Sequence, residues 1–103
     1  MKECVRIIDN MDISDNEKRN IHNMIDQYQR DYLNNIGELL TDTFDIEVNY
    51  RVEHTHMGLN LRVSIPKKNE VKAKQIRAIC RYANLNREQN RYLENNIWLR
   101  FAF

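Results

Sequence analysis

The sequence predicts an α+β fold: a small three-stranded sheet, made of a β-hairpin and a C-terminal strand, packed on a long N-terminal helix and a basic helix. Three observations predict it. A capping signature at Ser14 opens a long run of helical apolar spacing, the stretch Phe44 to Ile65 alternates almost without a slip, and the final residues alternate again. The element order reads α-α-β-β-α-α-β, with residues 1–103 forming one compact domain.

Residues 3 to 11 place Cys4, Ile8 and Met11 at helical spacing with Ile7 beside them, enough for a short helix. Ser14-Asp15-Asn16-Glu17 is a capping box. The serine hydroxyl can accept from an orphan amide of the first turn while Glu17 reaches back to the cap. Behind it Ile21, Ile25, Tyr28, Tyr32, Ile36 and Leu39 advance by fours and threes, widened by Met24, Leu33 and Leu40, so the helix runs from Asp15 to about Thr41.

In the alternating stretch the apolar residues Phe44 to Val52 are even-numbered and Leu59 to Ile65 odd-numbered. Paired residues on one face must then sum to an odd number, which requires an even-length loop. A four-residue loop, Thr55 to Gly58, satisfies this with His54 opposite Leu59, and Gly58 supplies the positive φ. Pro66 ends the second strand. A helix follows from about Asn69 through Val71, Ile76, Ile79, Cys80 and Ala83, and a further helical start is expected at Asn86 with Gln89 three residues on. The chain closes with a strand carrying Ile97, Leu99, Phe101 and Phe103 on one face and Trp98, Arg100 and Ala102 on the other.

Without the short first helix, this order, αββααβ, is similar to that of the bacterial, type II form of the KH RNA-binding domain. That family grips nucleic acid with a GXXG loop between adjacent helices. The corresponding connection here, Asn84-Leu85-Asn86-Arg87, has no glycine, so no residue role carries over.

The net charge of +1 hides an asymmetry: residues 1 to 57 carry twelve acids and six bases, and residues 58 to 103 three acids and ten bases. The C-terminal part therefore suits an anionic partner. Lys67, Lys68, Lys74, Arg77, Arg81 and Arg87 form most of a basic segment, with Lys74, Arg77 and Arg81 at helical spacing. By parity Trp98 points away from the apolar sheet face together with Arg100, Arg51, Arg62, Asn49 and Asn60. A tryptophan among arginines can anchor a partner or stack a base. Equally, the segment holding Val5, Ile7 and Ile8 can cover it.

Catalysis is not expected. The chain has no Gly-x-Ser-x-Gly elbow, no phosphate-cradling glycine loop and no recognisable cysteine nucleophile signature. His54 and His56 share one side of a continuing strand, yet a metal site needs a third ligand, and His22, Cys80 and Glu53 have no spacing that supplies one. The expectation is a hairpin tip, with no metal and no cofactor. Cys4 and Cys80 lack Cys-x-x-Cys spacing and read as reduced thiols. No secretory leader and no membrane-length apolar run is evident, which fits a soluble, cytoplasmic protein.

The reading is a non-catalytic binding module that engages nucleic acid or a nucleoprotein through the basic helix and the Arg62, Trp98, Arg100 face. A second reading is a small phage-like inhibitor or adaptor docking on a larger protein, including one that itself binds nucleic acid. A third is a homodimer through the long helix or the Trp98 face.

Overall fold

The computed structural model describes residues 2–103, with side chains from Arg6 onward. The side chains of Cys4 and Val5 thus lie outside the described residues. The first helix, α1 (Lys2–Asp9), leads into α2 (Asp15–Thr43), where Ser14 caps as its hydroxyl predicts: Oγ accepts from the Glu17 amide at 3.1 Å. Glu17 does not return to the cap backbone. Its Oε1 instead accepts from the Ser14 hydroxyl at 3.0 Å. The 29 residues of α2 span about 43 Å at 1.5 Å per residue.

Only the C-terminal half of α2 enters the core, through Leu33, Ile36, Gly37 and Leu40. The other half is accompanied by α1. Ile8 is buried, Asp9 Oδ1 lies 2.8 Å from His22 Nε2, and the Lys18 ammonium donates to the Asp9 carbonyl at 3.1 Å. This helical arm draws the molecule out to 53 × 24 × 19 Å.

Strands β1 (Asn49–Thr55) and β2 (Gly58–Pro66) pair in the register that parity requires, His54 opposite Leu59. Thr55 also pairs with Gly58, so the loop shrinks to His56-Met57, still even in length, with Gly58 at φ +83°. A short 3-10 segment (Lys67–Lys72) precedes α3 (Ala73–Tyr82), and Val71, expected in the apolar stripe, is exposed.

The second expected helix after Pro66 is instead a strand, β3 (Arg87–Tyr92), so the sheet has four strands rather than three, in the antiparallel order β1-β2-β4-β3, with β4 (Asn96–Ala102) central. The cause lies at the end of α3. Asn84 adopts a left-handed conformation (φ 67°), the Asn84 amide donates to the Arg81 carbonyl and the Leu85 amide to the Cys80 carbonyl. This Schellman closure, sealed by the buried pair Leu85 and Cys80, stops the helix and aims the chain at the free edge of β4. With the second helix gone, the KH-like element order is not present either.

One sheet face is apolar. Leu59, Leu61, Val63, Ile65, Ile97, Leu99 and Phe101 meet Leu33, Ile36 and Leu40 of α2 and Ile76 and Cys80 of α3 in a single core. The Tyr32 hydroxyl ties the two helices by donating to the Ala83 carbonyl at 2.8 Å, and its ring lies 5.7 Å from that of Phe103.

Candidate functional site

The face turned away from the helices is built by strand alternation. Read across β1, β2, β4 and β3, the registers give three rows: Asn49, Ser64, Trp98, Arg91; then Arg51, Arg62, Arg100, Gln89; then Glu53, Asn60, Ala102, Arg87. In the middle row three arginines stand directly opposite one another on neighbouring strands. Like charges so placed destabilise a sheet unless neighbouring groups offset them. The face holds five arginines against one glutamate, a formal +4.

The tryptophan is half-buried, and the Arg62 guanidinium sits 4.3 Å from its ring centroid, a cation–π contact. Arg62, Gln89, Asn90, Arg91, Trp98 and Arg100 line an open-sided cleft of about 350 Å³. The segment expected as one possible cover is elsewhere, since α1 lies along α2. Glu53 is the one acid: Oε1 lies 3.3 Å from Arg62 Nη1 and Oε2 3.2 Å from Arg100 Nη2. Arg51 and Arg91 are exposed.

The other basic residues are sorted differently from their sequence order. Lys74 and Arg81 are exposed on α3, across the sheet from Trp98, while Lys67 and Lys68 are exposed on the 3-10 segment. Arg77 does not share their solvent face in full. It is half-buried and donates through Nε to Glu88 Oε2 at 3.1 Å, joining α3 to β3. Arg87 is a clasp: Nε donates to the Phe103 main-chain oxygen at 2.8 Å and Nη2 to the Met57 carbonyl, folding the hairpin tip over buried Asn60. The sheet therefore separates two cationic surfaces that the sequence presents as one.

Helical reading of residues 86 to 93 hid the contribution of Arg91 and Gln89 to the Trp98 face. The signal that finds them is the alternation Arg87, Gln89, Arg91 beside Glu88, Asn90, Tyr92. Glu53 was legible as a face residue, being two positions from Arg51, but its bridging role was not.

The hairpin tip owes its shape to the threonine between the histidines. Thr55 Oγ1 accepts from the Met57 amide at 3.2 Å and from Asn60 Nδ2 at 2.9 Å, whereas His54 and His56 are exposed. Among the described residues no group of three or more His, Cys, Asp or Glu is placed to hold a metal ion, and no helix is long and apolar enough to cross a membrane. Cys80 is fully buried. Desolvation, reinforced by nearby Glu88, pushes its thiol up from 9.0 to about 12, which keeps it protonated and non-nucleophilic. Comparison with known proteins gives no match: no family model, no curated protein and no solved structure.

Proposed function

We propose that the protein is a non-catalytic module that binds single-stranded nucleic acid on the open sheet face. One observation carries the reading: the directly opposed Arg51, Arg62 and Arg100, flanked by Trp98 and Arg91. Guanidinium groups neutralise phosphates in a salt-dependent, sequence-independent way, and an aromatic ring beside them offers a base a stacking surface. An open sheet face suits a splayed single strand better than a duplex, whose major groove admits a helix or a two-stranded ribbon. Readout of sequence is weak in this scheme, because arginine contacts to phosphates carry no base identity.

Trp98 is the chain's one tryptophan, so its emission reports on the site directly. Titration with oligothymidylate at low salt is expected to quench it. Trp98→Ala, checked for folding by circular dichroism, is expected to weaken binding about tenfold or more, since base stacking contributes about 1–3 kcal/mol. Unchanged emission and no binding at low salt would refute the reading.

A second reading, docking on a larger protein, is favoured by the helical arm, where Ile7, Met24 and Tyr28 are 60%, 72% and 59% exposed. Apolar side chains of that size exposed on a projecting helix pair suit a protein partner.

A further inference from the structure

Resting on the reading of the open face as a nucleic-acid platform, we infer that the Glu53 carboxylate holds the place of a backbone phosphate, and that a phosphodiester binds by displacing it from Arg62 and Arg100.

The geometry is that of an anion between two cations. Each carboxylate oxygen takes one guanidinium, at 3.3 Å and 3.2 Å, and the two arginines come from adjacent strands, β2 and β4. A tetrahedral phosphate presents the same pair of oxygens to the same two forks. Donor capacity is left over for it: Arg100 Nε is buried without a hydrogen-bond partner. Beyond Arg62 on the same row stands Arg51, exposed and, among the described residues, without an ion-pair partner, so a second phosphate of an extended strand finds a cation next to the first.

The stacking surface lies at the right place for one nucleotide. Arg62 touches both Glu53 and the Trp98 ring, at 3.3 Å and 4.3 Å, so a phosphate in place of the carboxylate puts its own base within reach of Trp98 and the cleft beside it. Displacement is feasible because Glu53 belongs to the edge strand and its side chain keeps 21% exposure, leaving it a route to water. Partly exposed ion pairs are weak enough to exchange.

The arrangement also explains how the free protein tolerates its arginine row. Glu53 offsets one of three like charges when no ligand is present. It then competes with any incoming anion, which disfavours simple monoanions and favours a polyanion that engages several arginines together.

Glu53→Gln keeps the side-chain shape and removes the competing charge. It is expected to tighten oligothymidylate binding about tenfold at moderate salt and to leave the slope of log K against log salt unchanged, because the same phosphate is neutralised in both proteins. If the wild type binds and Glu53→Gln binds no better, the phosphate-place inference falls and the platform stands. If neither protein binds, both fall. A measurement on the wild type is independent of how the variant folds: on adding oligothymidylate, the Glu53 carboxyl carbon and the Arg62 and Arg100 Nε–H resonances should shift together. A bound complex in which the Glu53 carboxyl signal does not move would overturn the inference.

Discussion

Asn84 is where the molecule's topology is decided. Its left-handed φ of 67° is tolerated better by asparagine than by most residues, and it allows the two reversed hydrogen bonds that end α3. Leu85 then drops into the core beside Cys80, and both are fully buried. The thiol there should be inert. With its value raised from 9.0 to about 12, the folded protein holds about a thousandfold less thiolate at a given pH than the unfolded chain. In a Cys4→Ser background, a thiol reagent is expected to modify Cys80 far more slowly in the native protein than in denaturant, and equal rates would contradict this placement. The same shift has a sign for stability. Below about pH 9 the thiol is protonated in both states, and as pH rises toward about 12 the unfolded chain releases a proton that the folded chain retains, so stability falls across that window.

At the scale of elements, α2 passes close against β1 at Gly37. A Cβ there would run into the Tyr50 ring on β1. In an isolated helix Gly37→Ala would stabilise by about 1 kcal/mol. Here overpacking costs about 1–3 kcal/mol, so the variant should show a lower urea midpoint, with the order reversed when the same change is made in a Tyr50→Ala background. A raised midpoint in the otherwise native chain would mean that α2 does not pass so close to β1. The hairpin and β4 were legible because their burial alternates: one face must be apolar, and parity then leaves a single register. Strand β3 was not. Arg87 to Tyr92 are almost all exposed, so no apolar period marks them, and Asn86 with Gln89 imitates a helix start. Its strand character comes from the unpaired edge of β4, a tertiary cause that local sequence does not carry.

For the whole molecule, the consequence is a division of charge. Trp98, Arg62 and Arg100 were legible as companions from strand parity, but the basic segment that follows Pro66 looked continuous and is not. Lys74 and Arg81 lie behind the sheet, Arg77 is paired with Glu88, and Arg87 is used as a clasp, while Arg91 joins the open face. The account's central claim is that anionic ligand binds on the open face and not on α3. Two double charge reversals test it under matched conditions: Arg51→Glu with Arg91→Glu, and Lys74→Glu with Arg81→Glu. Each lowers the formal net charge by four, from +1 to −3, so a bulk electrostatic effect weakens both alike. The most direct measurement is anisotropy of a labelled oligothymidylate titrated with the wild type and both variants at one low salt concentration. The account predicts that the Arg51 and Arg91 pair loses affinity at least 100-fold while the Lys74 and Arg81 pair stays within about threefold of the wild type, each phosphate contact being sensitive to its own cation. Loss of binding in the Lys74 and Arg81 variant with the Arg51 and Arg91 variant intact would contradict it.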